Sequence, residues 1–197
     1  MKYTAKSIPI FGLYLGGIIS ILLFTALSAL ASGPLGEWRN VAGPTFTRPA
    51  DATPYASGDL VANSTTAGSV VPIAVVFGSG GATENQIELS RLRLFKSTTG
   101  VTGATFRIHL FSTLPTVSAG DNAAIVIATG AAGYLGFFDI AAMQSFTDGA
   151  NGAITTGSNR IVLTGTATIY ALIEARGAYT PGTSETFTLT LEGTLNR

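Results

Sequence analysis

NQIELSRLRLFKS, Asn85 to Ser97, decides the fold. Apolar and polar residues alternate along it, which marks an antiparallel strand with one buried and one wet face. A strict period of two puts Ile87, Leu89, Arg91, Arg93 and Phe95 on one face, and Glu88, Ser90, Leu92 and Leu94 on the other. The pattern recurs further along. TFRIHLFS, Thr105 to Ser112, sets Phe106, Ile108 and Leu110 against Arg107, His109 and Phe111. ETFTLTLEGTL, Glu185 to Leu195, turns Phe187, Leu189 and Leu191 inward, with Thr186, Thr188, Thr190 and Glu192 outward.

Around these lie further strand candidates: Ser69–Phe77, Ala123–Thr129, Tyr134–Ile140, Arg160–Gly165 and Ala167–Gly177. A short one near Asp59–Val61 brings the expectation to eight or nine. Gly-rich turns such as GSGGATEN, STTGVTG, TDGANG and YTPGTS separate them. Many short strands between such turns predict an all-β, antiparallel β-sandwich or jelly roll over residues 55–197.

Ahead of this domain, Ser32 to Pro54 is rich in Gly and Pro and reads as an extended linker arm, residues 32–54, with Trp38 as a packing staple. Residues 1–31 read as an apolar N-terminal helix, because no charge occurs between Lys6 and Glu37. Residues 8–31 exceed the roughly 20 needed to cross a bilayer as a helix. Three readings stand: a membrane-seated helix with Lys2 and Lys6 on the cytoplasmic side, a secretory signal cleaved after Ala29–Ala31, or a helix buried in an assembly. Gly12 and Gly16 have the spacing that lets helices approach closely in lipid, although Gly is also simply common in apolar helices. Pro9 suits a first helical turn.

Charged residues make up only 11% of the chain, against about 25% in an average soluble domain. Surface with so few charges is poorly protected against association, which points to faces covered by membrane or neighbouring subunits. The formal net charge is zero, so no basic excess exists to neutralise nucleic-acid phosphates. Cysteine is absent, which removes disulfides and thiolate metal sites.

Residues that carry chemistry are few. His109 is the single histidine; it lies mid-strand, far from any nucleophile-elbow pattern, and reads as a sheet-surface or interface residue. Asp121 and Asp148 lie in Gly-containing turns; calcium ligation is one reading, and capping of their own turns is the preferred one. Glu88, Glu174 and Glu185 are candidates for glycoside hydrolysis and equally for pairing with Arg91, Arg93 or Arg176. Asn63–Thr65 fits a glycosylation sequon. Tyr55, Tyr134 and Tyr179 are candidates for a sugar platform, with packing the plainer reading. GSGGATEN lacks the lysine and helix of a phosphate-binding loop. No catalytic, cofactor-binding or metal-binding residue is assigned.

Four blocks, FTRPADATPYASGDLVANSTTAGSVVPI (Phe46–Ile73), IELSRLRLFKST (Ile87–Thr98), TFRIHLFSTLPTVSAGDNAA (Thr105–Ala124) and IYALIEARGAYTPGTSETFTLTLE (Ile169–Glu192), resemble head decoration, or cement, proteins of tailed bacteriophages. The likeness spans about residues 45–192. It implies a jelly-roll virion structural protein, not an enzyme, that assembles as a homotrimer on the capsid surface. There it would brace neighbouring copies of the major capsid protein. The nearly uncharged arm from Phe46 onward, with only Arg48, Asp51 and Asp59 charged up to Ile73, is expected to lie across neighbours and add its backbone to their sheet edges. The apolar first thirty residues depart from that family; through residues 8–31 they add an expectation of membrane contact. Two other classes compete. One is a membrane-anchored surface adhesin or receptor- or sugar-binding module, including a tail-fibre role, which predicts an exposed aromatic platform. The other is a glycan-degrading enzyme, which predicts two carboxylates about 5 to 9.5 Å apart in a cleft.

Overall fold

A computed structural model describes residues 37–78, 84–164 and 167–196. The expected helix over residues 8–31 lies outside them. Among the described residues no helix is long and apolar enough to cross a membrane.

The described chain is nearly all β, and every strand pairing is antiparallel. In chain order the strands are β1 (Glu37–Ala42), β2 (Phe46–Thr47), β3 (Leu60–Val61), β4 (Ile73–Gly78), β5 (Glu84–Lys96), β6 (Phe106–Phe111), β7 (Thr116–Val117), β8 (Ile127–Thr129), β9 (Tyr134–Ile140), β10 (Gln144–Phe146), β11 (Gly149–Thr164), β12 (Ala167–Ala175) and β13 (Thr186–Asn196). The first sheet runs β1-β13-β5-β11-β10, with β2 also on β13. The second runs β3-β12-β6-β9, with β4 also on β12, and β7-β8 form a separate ribbon.

The two sheets share one apolar core. Leu92, Leu94, Phe187 and Leu189 of the first sheet cluster with Val75, Phe106, Ile108 and Ile169 of the second, all at most 1% exposed. Each such side chain contributes roughly 1.5–3 kcal/mol on burial. A smaller cluster, Leu60, Val70, Phe111, Val117 and Leu172, fills the space beneath the β7-β8 ribbon.

β5 corrects the strict alternation. Ile87 and Leu89 are buried, but so are Leu92, Leu94 and Lys96, while Arg91 is exposed. The register explains the change of phase: Glu192 faces Arg91 and the next residue, Gly193, faces Leu89. Ser90 is therefore an extra residue, a bulge that flips the strand by one position. It keeps all four apolar residues inside and releases both arginines to the outer face. The alternation in Phe106–Phe111 and Phe187–Leu191 holds as expected, with Phe106, Ile108, Leu110, Phe187, Leu189 and Leu191 buried.

Other boundaries shift. β11 begins at Gly149, not Arg160, because the run GANGAITTGS reads as a loop but pairs with β5 and β10. Its small residues are needed there: a Cβ on Gly152 would strike Ile140 and Met143. Of Ala123–Thr129 only Ile127–Thr129 is a strand, and β4 starts at Ile73. Within the arm, β1 pairs with β13 from Glu37↔Leu195 to Ala42↔Thr190, and β2 continues along the same strand. The segment from Phe46 to Val61, expected to reach across neighbours, is instead built into this chain: Arg48, Tyr55, Leu60 and Val61 are all at most 2% exposed. Trp38 is no staple; it stands outward on β1, 58% exposed.

Candidate functional site

Segments far apart in the chain, around Arg48, Asp121 and Tyr179, meet in the interior at the end of the core. Arg48, from the TRPAD segment, has a fully buried side chain and donates to Asp121 Oδ2 at 2.8 Å. Its Nε donates to the Tyr55 hydroxyl, which donates to Asp121 Oδ1 at 2.6 Å. The same oxygen accepts the Ala62 amide at 2.7 Å. Burial disfavours the guanidinium charge, yet the neighbouring Tyr55 and Asp121 hold the Arg48 pKa above its ordinary value. Burial first, then the bond to Asp121, pushes the Tyr55 phenol far up.

A second buried pair lies beside the first. Lys96 Nζ donates to Glu185 Oε1 at 3.0 Å and to Thr98 O and Oγ1 at 2.8 and 2.9 Å. Thr98 and Tyr179 hydroxyls also donate to Glu185. Burial and the Glu185 bond push the Tyr179 phenol up as well. The two networks join through the stacked rings of Tyr55 and Tyr179, centroids 6.1 Å apart, and through Arg48 N donating to Glu185 O at 2.9 Å.

This placement revises several expectations. Asp121 does not cap its own turn; it is a buried counter-ion. Tyr55 and Tyr179 are 2% and 1% exposed, so neither is a sugar platform. Glu185 is a fully buried partner of Lys96, closed off from a cleft. Asn63 accepts the Val71 amide at 2.9 Å, which gives it a role in the loop before β4. Asp148 is exposed in the β10-β11 turn. Lys96 had a readable signal: it continues the inward phase of Leu92 and Leu94.

What faces outward is a different set, on the second sheet. Register places three rows side by side: Glu174, Arg107 and Asp139; Leu172, His109 and Phe137; Tyr170, Phe111 and Tyr134. The β7-β8 ribbon covers Phe111 and Leu172, with Tyr170 packed against them, while Tyr134 and Phe137 stay exposed and Glu174 is buried. His109 Nε2 lies 2.7 Å from Glu174 Oε2, and its Nδ1 lies 3.0 Å from the Tyr134 hydroxyl. Arg176 donates to Glu174 Oε1 at 2.7 Å. Burial raises the Glu174 pKa, but the bonds from His109 and Arg176 outweigh it and leave the carboxyl below its ordinary value. Arg107 binds Asp139 through two nitrogens, at 2.7 and 2.9 Å, and rests on the Phe137 ring, 3.6 Å from its centroid. The Asp139 carboxyl is correspondingly held low.

Between the ribbon and this row opens a largely apolar cavity of about 280 Å3, walled by His109, Phe111, Ile125, Ile127 and Tyr134. Tyr134 and Phe137 remain 44% and 46% exposed at its side. The hydroxyl–imidazole–carboxylate order of Tyr134, His109 and Glu174 is that of a relay, but burial raises the Tyr134 pKa. A phenol kept protonated is a hydrogen-bonding group, not an activated nucleophile. The arrangement is suited to holding a neutral or hydroxylated ligand edge against two rings. Among the described residues no group of three or more His, Asp or Glu could hold a metal ion. No protein-family model and no curated protein sequence matches the chain.

Proposed function

We propose that this chain is a non-enzymatic virion structural protein of the phage decoration, or cement, class: a jelly roll that oligomerises, as a homotrimer, and braces neighbouring major capsid protein subunits at the capsid surface. The observation that carries this reading is strand order. Setting aside the separate β7-β8 ribbon, and merging β1 with β2, β3 with β4 and β10 with β11, leaves eight strands in chain order, here lettered B to I. The sheets then run B-I-D-G and C-H-E-F, an order that supports a jelly roll built of two Greek keys. The motif residues fit the same reading, because Arg48, Tyr55, Asp121, Tyr179 and Glu185 are buried in the networks that join the arm and loops to the sheets. The weakly charged outer faces suit burial against other subunits. Residues 8–31 lie outside the described residues, and their apolar sequence adds the expectation of membrane contact to this reading.

Imaging of purified particles, with the full chain's oligomeric state measured in mild detergent, tests it. Regular copies on a shell and a discrete oligomer are expected. A monomer extracted from host membranes in uninfected cells overturns it. One observation favours a second reading, a receptor- or sugar-binding module: Tyr134 and Phe137 form an exposed aromatic pair beside charged hydrogen-bonding groups. Glycan binding that Tyr134→Ala abolishes, in a chain that never associates with particles, establishes that alternative.

A further inference from the structure

The outer face of the first sheet holds its own cavity, of about 470 Å3, in the bend between β5 and the β10-β11 hairpin. Arg91 and Arg93 form its basic side, Gln144 and Asn151 supply side-chain amides, and Met143 and Phe146 make an apolar wall. The cavity follows from a feature already described: the Ser90 bulge turns both arginines outward.

The two cations are not equivalent. Glu192 stands opposite Arg91 in the register, yet its carboxylate forms an ion pair with Arg93, 2.7 Å from Nε though outside hydrogen-bond geometry. Arg91 is exposed, and its side chain forms no ion pair or hydrogen bond with another described residue. The cavity therefore carries one uncompensated guanidinium beside a neutralised one. In a chain with only eleven Lys and Arg, two on a single cavity are a large local share. A guanidinium fork matches a planar carboxylate through two parallel hydrogen bonds. The amides of Gln144 and Asn151 can complete the contact, and Met143 with Phe146 offers surface for a few carbons beside the charge.

We propose that this cavity is a binding site for a carboxylate group borne on a short aliphatic or ring body, held by Arg91. Two sources share that chemistry: an acidic side chain of a partner polypeptide and a sugar acid. The site lies on the opposite sheet from the His109 face, so it stands or falls independently of the decoration and sugar-binding readings.

Calorimetric titration of the full chain in mild detergent tests the site with four probes. These are a short Glu-containing peptide blocked at both ends, its Gln counterpart, galacturonic acid, and inorganic sulfate. The expected result is saturable binding of at least one carboxylate probe, no binding of the Gln peptide, and at least a tenfold loss in Arg91→Gln. Arg39→Gln, which alters a cation of β1 outside the cavity lining, leaves binding unchanged. The tighter of the two carboxylate probes identifies the source. Equal binding of sulfate, equal binding of the Gln peptide, retention of affinity in Arg91→Gln, or no binding of either carboxylate at millimolar concentration overturns the proposal.

Discussion

Asp121→Asn removes one charge and almost no volume from the interior, which makes it the sharpest test of the buried networks. In the native chain its carboxylate takes hydrogen bonds from Arg48, Tyr55 and the Ala62 amide. The amide variant still offers an oxygen to Tyr55 or to Ala62, but Arg48 loses its buried counter-ion. Only Asp51 remains near, at 3.4 Å and 37% exposed, too wet and too far to replace it. Removing one partner of a buried pair costs about 3–5 kcal/mol, because the other charge stays desolvated. Partial help from Asp51 places the expectation near the lower end, about 3 kcal/mol. For a domain of this size that is a fall in Tm of roughly 6–12 °C. Urea unfolding followed by circular dichroism, in the same detergent for each variant, gives the free energies. Arg48→Met is measured alongside, and then the double variant. The double variant should be less destabilised than the sum of the singles by about 1–3 kcal/mol, since neither then strands a charge. A single-variant cost below about 1 kcal/mol, the scale of one ordinary hydrogen bond, would refute the reasoning. So would additivity of the two substitutions.

Three further outcomes follow from the same structure. Gly152→Val drives a branched side chain into Ile140 and Met143, and should cost about 1–3 kcal/mol by overpacking; the urea midpoint reads it. Glu174 has a folded pKa below its ordinary 4.5, so its contribution is present above that value and is lost as pH falls through the lowered one. Thermal melts between about pH 5 and 3 should therefore show a shallower decline for Glu174→Gln than for the native chain. Trp38 is the only tryptophan and is 58% exposed; its fluorescence in the isolated chain should be red-shifted and open to acrylamide, and emission that stays buried in a monomer contradicts the outward setting of β1.

Local periodicity made the fold class readable, and longer-range pairing hid the rest. Phe106–Phe111 and Phe187–Leu191 alternate so cleanly that their inner faces follow from composition alone. The bulge at Ser90 was also implicit: a period of two cannot bury Ile87, Leu89, Leu92 and Leu94 together, and only an inserted residue reconciles them. By contrast, GANGAITTGS carries turn residues throughout, and nothing local shows that it runs as a strand beside β5. Its partners and close neighbours lie over 50 residues away in one case and within a hairpin in the other. The networks escaped for the same reason. Arg48 and Asp121 are 73 positions apart, and Lys96 and Glu185 are 89 apart. A charge in a Pro-rich arm looks like solvated linker until the partner strand closes over it. The outward row of His109, Glu174 and Arg107 was half legible: strand parity put Arg107 and His109 on one face, and Tyr134–Ile140 read as a strand, but nothing local showed that β9 and β12 flank β6.

The position of the charges ties the fold to its proposed use. A chain with eleven cations and eleven anions buries Arg48, Lys96, Asp121, Glu174, Glu185 and Glu192, where taking ions out of water is costly unless each is paired and hydrogen-bonded. Apolar residues at those positions would often be as stable, so the networks are better explained as fixing one arrangement. They tie the arm through Arg48 and Tyr55, and the loops through Asp121, Thr98 and Tyr179, to the ends of β5 and β13. The consequence outside is a surface short of charge, with threonine rows on β13 and exposed Trp38, Val76, Leu114 and Phe146. A free monomer of that composition tends to associate, whereas a subunit whose faces are covered in an assembly does not need charge to stay dispersed. Rigid inside and weakly charged outside is the combination expected of a part that is built into something larger.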